Sequence, residues 1–176
     1  MSAGSNHTNL RLNRDFYSRD VLTVAPGLLG KNLVIVRSGI AESYIISEVE
    51  AYHGEEDLAS HARFGKTARN SIMYGQGGFL YIYLIYGIYW MLNVVSGPAG
   101  SPQAILVRGL KNLSGPGVLT RGLGIDKSYH GEDLVTSRRI WIEDSDEKPL
   151  IIQKPRVGIN YAGEPWVSHA WRFISS

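Results

Sequence analysis

A carboxylate at the end of a predicted strand is the group in this sequence best suited to acid–base chemistry. Over residues 44–52, the two-residue period of a strand places alternate side chains on one face: Tyr44, Ile46, Glu48, Glu50 and Tyr52. Glu50 lies beside Tyr52, and an aromatic neighbour that excludes water raises the pKa of a carboxyl group toward the range of a general base. A strand face that is merely solvated is the alternative.

Two histidines follow Glu50 in a polar, glycine-containing stretch, which raises the question of a metal site. The spacing of Glu50, His53 and His61 matches no standard zinc pattern, and the sequence has no cysteine. We therefore predict no metal and no cofactor. His61 could stack on an aromatic ligand or form a hydrogen bond with it, and a solvated loop histidine is the alternative.

An aromatic run over residues 79–90 is the second candidate region, and it contains four tyrosines: Tyr81, Tyr83, Tyr86 and Tyr89. A core strand favours aliphatic residues because a buried tyrosine hydroxyl needs a hydrogen-bond partner. Rings clustered around a predicted turn at Tyr86 and Gly87 indicate stacking on nucleobases. A ring at an exposed tip can enter a base stack. An aromatic core hairpin is the alternative.

Two polar residues lie inside apolar strand patterns and need partners. Asn93 either bonds to a backbone group or reads the edge of a base, since an unpaired buried amide is costly. Arg108 needs an anion, which could be Glu48, Glu50 or a phosphate group.

The charge of the chain is concentrated in its middle. The formal net charge of the 176 residues is +2, but residues 58–139 contain nine basic and three acidic side chains. A basic stretch of this kind is typical of a surface that binds a polyanion. Arg63, Lys66 and Arg69 precede the aromatic run, and we predict that they contact a nucleic-acid backbone. A solvated charged loop is the alternative.

The elements that position these residues follow from periodicity and turn residues. Hydrophobic residues make up 44% of the chain and charged residues 19%, which is typical of a globular domain. A helix is predicted over residues 16–29 with Asp15 as its cap, and a short helix ends at Leu123. Strands are predicted at residues 32–36, 43–52, 79–84, 89–95, 104–110, 139–142, 150–152 and 171–174.

These elements predict an α+β fold: a single compact domain with a mainly antiparallel curved sheet, a few helices and a protruding β-hairpin. Residues 1–10 are small and polar, so we predict a flexible tail there and a domain over residues 11–176. The tail lacks the apolar stretch of a signal peptide, and no membrane span is predicted. We expect a monomer in a bacterial-type cytoplasm, with the nucleus as the alternative.

Separate blocks of the sequence also carry an ordered pattern: SEVEAYHGEEDLASH (47–61), LYIYLIYGIY (80–89) with Asn93, ILVR (105–108), SGPG (114–117), GIDK (124–127) and RVGI (156–159). Together they resemble the alkyladenine (3-methyladenine) DNA glycosylase family, from about residue 11 to residue 174. The resemblance implies a monofunctional enzyme that acts on damaged double-stranded DNA. Such an enzyme removes alkylated purines to start base-excision repair, and its substrates could also include deaminated purines.

The resemblance also implies a role for each matched residue. Glu50 would activate the water that attacks the anomeric carbon, with Arg108 and the backbone carbonyl of Val157 helping to hold that water. The remaining matched residues would form the pocket for a flipped base (Tyr52, His61, Tyr83 and Asn93) and the wedge that replaces it in the duplex (Tyr86). Asn93 would exclude normal guanine by crowding its exocyclic amine.

Two other functions stay open at this point. A non-catalytic module could use the same hairpin to bind distorted DNA or structured RNA. A glycosylase with lyase activity could form a Schiff base through Lys66 or Lys127. A carboxylate beside phosphates favours the enzyme over the binding module, because binding alone gains nothing from that negative charge.

Overall fold

The alternating apolar segments form a nine-stranded sheet within residues 10–176, the part of the chain that the computed structural model describes. The strands are β1 Asn32–Arg37, β2 Ile40–His53, β3 Leu80–Ile85, β4 Tyr89–Val95, β5 Gln103–Leu110, β6 Leu113–Ser114, β7 Ile140–Glu143, β8 Ile151–Lys154 and β9 Arg172–Ser175. The main order is β3-β4-β5-β2-β1-β7, while β6 pairs with β5, and β9 pairs with both β2 and β8. Every described pairing is antiparallel, so the predicted α+β class is confirmed.

The helices are short, and the first prediction for them was wrong. Instead of one helix over residues 16–29, the chain forms α1 Arg14–Tyr17 and α2 Val21–Leu28. The break occurs because Asp20 is an N-cap, its carboxylate accepting a hydrogen bond from the Leu22 amide. Asn13, rather than Asp15, caps α1. The predicted helix that ends at Leu123 is confirmed as α3, Pro116–Leu123.

One continuous core lies between the sheet and the helices. Val24 and Leu28 of α2 are fully buried and belong to the same cluster as Ile105 and Val107 of β5. Burial of each aliphatic side chain of this kind contributes roughly 1.5–3 kcal/mol to the free energy of folding. Helix α2 thus covers one face of the sheet, and the opposite face of β2 and β5 lines a cavity. None of the helices within residues 10–176 is long and apolar enough to cross a membrane.

The pairing of β2 with β5 has a paired irregularity at its centre, which is one extra residue on each of the two strands. Its register shifts between Ile46 and Glu48 and again between Glu48 and Val49. Ile46 is therefore buried in the core with Val49, and the prediction that it shares a face with Glu50 was wrong. A bulge adds a residue and reverses the alternation that a regular strand would keep. On β5 the matching irregularity lies at Arg108.

The predicted hairpin is confirmed as β3 and β4, with a tight turn between them. The Ile88 amide donates to the carbonyl of Ile85, and both central residues, Tyr86 and Gly87, have positive φ angles of 53° and 66°. Such a turn matches the twist of the flanking strands. The tail predicted for residues 1–10 lies outside the described residues, apart from Leu10.

Candidate active site

A cavity of about 790 Å³ lies on the face of β2 and β5 opposite α2. Its walls come from β2, the β3–β4 hairpin, β5, the start of α3, the loop after His61 and residues 157–161. Elements distant in sequence therefore enclose one space. Among the predicted site residues, Glu50, Tyr52, His61, Tyr83 and Tyr86 all line it.

Glu50 is the carboxylate at the bottom of this cavity, and its side chain is fully buried. Oε1 accepts a hydrogen bond of 2.8 Å from the Val157 amide, and Oε2 accepts one of 2.8 Å from the Tyr52 hydroxyl. Burial raises the pKa of Glu50, and Arg108, the Val157 amide and the Tyr52 hydroxyl oppose this by stabilising the charged form. The result is a fixed, partly desolvated carboxylate suited to take a proton.

Arg108 projects from the irregular point of β5 toward two carboxylates. Its Nε lies 3.2 Å from Oε1 of Glu48 and 3.6 Å from Oε1 of Glu50. The sequence left Glu48, Glu50 or a phosphate as partners, and the structure supplies both glutamates. Gly109 makes room for this arrangement, because a Cβ there would lie 3.2 Å from the Cβ of Glu48.

A second, smaller cavity of about 50 Å³ adjoins the first and brings together the four predicted base-pocket residues: Tyr52, His61, Tyr83 and Asn93. Tyr52, His61 and Tyr83 line both cavities. The rings of His61 and Tyr83 meet with centroids 4.5 Å apart. The site is therefore an aromatic recess that opens beside Glu50.

His61 is held as a neutral ring. Its Nδ1 and the Tyr81 hydroxyl are hydrogen-bonded at 2.9 Å. Burial, helped by the charges of Arg69 and Arg63, lowers the pKa of His61 to about 4. Near neutral pH the side chain therefore offers hydrogen bonds and a stacking face without a positive charge.

Asn93 is almost completely buried on β4, at the back of the recess. Its Nδ2 donates to the carbonyl of Tyr81 at 3.2 Å and to that of Met91 at 3.4 Å. Both sequence interpretations thus describe part of its setting, since the amide nitrogen bonds to backbone and the side chain lines the recess. The two bonds fix the orientation of the amide.

Tyr86 occupies the tip of the hairpin and is 83% exposed, although it also lines the large cavity. Ile88 beside it is 62% exposed. An apolar tip that the fold holds out of its own core is available to another molecule. The ring stands at the rim of the cavity that contains Glu50.

The three predicted backbone-contact residues occupy different settings. Arg63 and Arg69 line the cavity, whereas Lys66 is not among its lining residues in the described chain. The guanidinium of Arg69 lies over the Tyr83 ring, 5.4 Å from its centroid. Lys66 lies over the Tyr74 ring at 5.6 Å. Two of the three cations therefore lie in the wall of the large cavity.

Three further aromatic residues at or near the site received no role from the sequence: Tyr161 and Phe64 went unnoticed, and Tyr89 was named only as part of the aromatic run. Tyr161 lines both cavities, and its hydroxyl donates to the carbonyl of Ala59. Tyr89 lines the large cavity, and Phe64 is 84% exposed on the same loop as Arg63. The guanidinium of Arg63 contacts both Phe64 and Tyr161, at 4.6 and 5.2 Å from their ring centroids. A lone aromatic residue in a basic loop was the available signal for Phe64.

The two histidines that follow Glu50 do not converge on it. His53 Nε2 lies 3.0 Å from Oδ2 of Asp20, whereas His61 is bonded to Tyr81. Within residues 10–176, no group of three His, Asp or Glu side chains is arranged to hold a metal ion.

Comparison with known proteins gives a consistent result. The family model described as methylpurine-DNA glycosylase matches residues 15–115 and 111–176. A protein of Anaeromyxobacter dehalogenans (strain 2CP-C), named as a 3-methyladenine DNA glycosylase, is 44% identical over 173 residues, covering 93% of this chain and 83% of its own. Proteins with the same name from Wolbachia pipientis wMel (43% identical; 94% and 92% covered) and Methanocella arvoryzae (40% identical; 92% and 90% covered) are also similar.

Proposed function

This chain belongs to the methylpurine-DNA glycosylase family, and we propose that it hydrolyses the N-glycosidic bond of alkylated purines, such as 3-methyladenine, in double-stranded DNA. The observation that carries the proposal is a fully buried carboxylate, Glu50, at the bottom of a cavity and beside an aromatic recess. The cavity opens at a rim of cations and exposed apolar residues. These features match the needs of an enzyme that must pull a base out of a duplex.

Extrusion of the base is the first step. Unstacking and unpairing a nucleotide costs a few kcal/mol, and the enzyme must offset that cost. In this proposal the exposed ring of Tyr86 fills the gap in the stack, and the base restacks inside the protein on the rings of Tyr52, His61 and Tyr83, which line the recess. An N-alkylated purine is cationic, so the tyrosine faces attract it.

Hydrolysis follows at the anomeric carbon of the extruded nucleotide. Glu50 takes a proton from water, and the water oxygen forms a bond to the anomeric carbon. The electron pair of the N-glycosidic bond passes to the purine, which leaves as a neutral base because its alkylated ring carried the positive charge. The carboxylate also stabilises positive charge that develops on the sugar. Arg108 and the backbone of Val157 are the groups next to the site of attack.

Water, rather than a lysine, serves as the nucleophile in this proposal. Of the described residues that line the cavity, none is a lysine. Lys66 lies over Tyr74, and Lys127 begins a 3₁₀ turn elsewhere in the chain. A Schiff base would need a desolvated amine next to the sugar, so the lyase alternative has no support here.

The recess also suggests how substrates are selected. Asn93 is fixed at the back of the recess, where it would crowd the exocyclic amine of guanine. Hypoxanthine lacks that amine, and we therefore extend the proposal to deaminated purines. Because such a base is uncharged in the DNA, it leaves as an anion with the electron pair of the glycosidic bond and then takes up a proton from water. One extra small group that a closely fitted pocket must reject is typically worth about 1–3 kcal/mol of discrimination.

The decisive experiment measures release of free 3-methyladenine and hypoxanthine from duplex oligonucleotides by the wild type, Glu50→Gln and Glu42→Gln. Glu42 is a matched control because it lies on the same strand and pairs with an arginine, Arg37, away from the cavity. We expect release by the wild type and the control, with a loss of at least about 100-fold in Glu50→Gln. Undiminished release by Glu50→Gln would refute the mechanism. Duplex binding without any release by the wild type would instead support the non-catalytic alternative.

A further inference from the structure

Glu48 lies between two arginines beside the catalytic carboxylate. Its Oε1 accepts hydrogen bonds from Nε of Arg108 at 3.2 Å and from Nη1 of Arg172 at 3.0 Å. All three side chains are sheltered, with exposed fractions of 17% for Glu48, 18% for Arg108 and 21% for Arg172. Charge interactions in such a setting are screened less than those on an open surface.

Each of these arginines leads on to the same oxygen of Glu50. Arg108 reaches it directly, with Nε 3.6 Å from Oε1. Arg172 reaches it through the backbone, because its Nε donates to the carbonyl of Pro155 at 2.9 Å. Pro155 is two residues before Val157, whose amide donates to the same Oε1. Both groups that contact Oε1 of Glu50 are therefore tied to the carboxylate of Glu48.

We propose that Glu48 is a positioning residue for the reaction. Through Arg108 and Arg172, Glu48 sets both the location and the protonation state of Glu50. The inference rests on the proposed function, because Glu48 is not among the described residues that line the cavity and would act on the reaction only through Glu50. The sequence indicated Glu48 only as one possible partner of Arg108, and no pattern in it pointed to this role.

The negative charge of Glu48, as well as its shape, affects how strongly Glu50 binds a proton. With Glu48 present, Arg108 is shared between two carboxylates. Without the Glu48 charge, Arg108 would pair with Glu50 alone and stabilise its charged form, which makes Glu50 a weaker base. The other titratable groups that face Glu50 are Tyr52 of β2, Tyr83 of β3, and Arg156 and Tyr161 of the C-terminal segment.

Two substitutions should shift the Glu50 titration in opposite directions. Glu48→Gln keeps the shape but removes the charge, so the pKa of Glu50 falls. Arg172→Met loosens the segment that carries the Val157 amide and leaves Arg108 more strongly drawn to Glu48, so the pKa of Glu50 rises. The single-turnover excision rate should fall by about tenfold in each variant, because small displacements of a catalytic group are costly. Affinity for an undamaged duplex should stay within about twofold of the wild type, since neither change alters the rim.

The test combines pH–rate profiles with carboxyl-carbon NMR titration, in which Glu50→Gln identifies the Glu50 signal. We expect the acidic limb and the NMR midpoint to move to lower pH in Glu48→Gln and to higher pH in Arg172→Met. Glu42→Gln, the matched control, should leave both unchanged. If one variant fails to fold, the other decides the matter through the sign of its shift.

Folded variants with wild-type rates and wild-type midpoints would overturn the proposal, because Glu48 would then be a structural ion pair only. The NMR midpoint is measured without substrate. If the wild type is inactive but the NMR midpoints of the two variants shift as expected, the glycosylase activity is refuted and the electrostatic role of Glu48 is retained. If the wild type is active but the midpoints of the variants do not shift, only the role of Glu48 is refuted.

Discussion

The amide of Val157 donates a 2.8 Å hydrogen bond to Oε1 of Glu50, a residue 107 positions earlier in the chain. The contact joins the C-terminal segment to the end of β2. It gives the carboxylate a backbone donor, which among substitutions at position 157 only proline would remove. The resemblance to the family implies that the carbonyl of Val157 helps to hold the water, which stays a prediction, and the amide of the same residue contacts Glu50.

Glu50→Gln is expected to stabilise the protein at neutral pH while it abolishes excision. Because burial raises the pKa of Glu50, the folded state binds its proton more tightly than the unfolded state does. The charged carboxylate therefore costs stability above the folded pKa, and this cost disappears as the pH falls below the unfolded value. Thermal unfolding at several pH values measures the effect. A lower melting temperature for Glu50→Gln at pH 7 would contradict it.

The excision rate of the wild type should fall on the acidic side as Glu50 takes up a proton. Because its pKa is raised, this limb should lie above 4.5, the ordinary value for glutamate. His61 has a pKa lowered to about 4 and is already neutral in that range. His61→Asn should therefore lower the rate but keep the limb in place. Disappearance of the limb in that variant, measured in single-turnover profiles, would assign the titration to His61 instead.

Tyr86→Ala should weaken binding to lesion-containing duplex by about tenfold, since stacking of a ring on a base is worth about 1–3 kcal/mol. Tyr86→Phe should bind like the wild type, because the hydroxyl has no role in stacking. Fluorescence of 2-aminopurine placed next to the lesion reports the extruded state. Equal fluorescence changes with the wild type and Tyr86→Ala would show that the hairpin tip does not enter the stack.

Asn93→Ala should allow excision of undamaged guanine, because it removes the group that would crowd the exocyclic amine. We expect selectivity for alkylated purine over guanine to fall by about tenfold or more. Quantifying free guanine released from undamaged duplex measures this. If guanine stays bound in the DNA while alkylated purine is still released, selection must reside elsewhere in the recess.

Asp57→Ala should lower the free energy of unfolding by about 3–5 kcal/mol, the cost of leaving a buried charge unpaired. Asp57 and Arg156 form a fully buried pair with contacts of 2.6 and 2.9 Å. Asp144→Ala is the control, since Asp144 is 58% exposed in its pair with Lys31; it should cost at most about 1 kcal/mol. Similar denaturation midpoints for the two variants would contradict the prediction.

Local patterns predicted the hairpin and the strand that contains Glu50. The turn at Tyr86 and Gly87 and the carboxylate of Glu50 were predicted because strand periodicity and turn residues act over a few positions. The break before Asp20 was missed, because the apolar residues of α2 extended the pattern across it. The irregular pairing of β2 with β5 was missed because a bulge depends on two strands at once.

Contacts across long stretches of sequence could not be predicted from the residues alone. The donation from Val157 is made by a backbone group, which no residue type reveals. The contact of Arg63 with Tyr161 joins two loops that only the folded sheet brings together. The monomeric state and the cytoplasmic location stay predictions.

The paired irregularity of β2 and β5 ties the stability of the sheet to the chemistry of the site. On each strand two residues, rather than one, separate successive core side chains: Ser47 and Glu48 on β2, Arg108 and Gly109 on β5. A variant that restored a regular ladder would gain pairing but turn Glu48 and Arg108 away from Glu50. Selection for a more stable sheet at this point would therefore select against activity, so adaptation to heat should spare these four positions and act elsewhere.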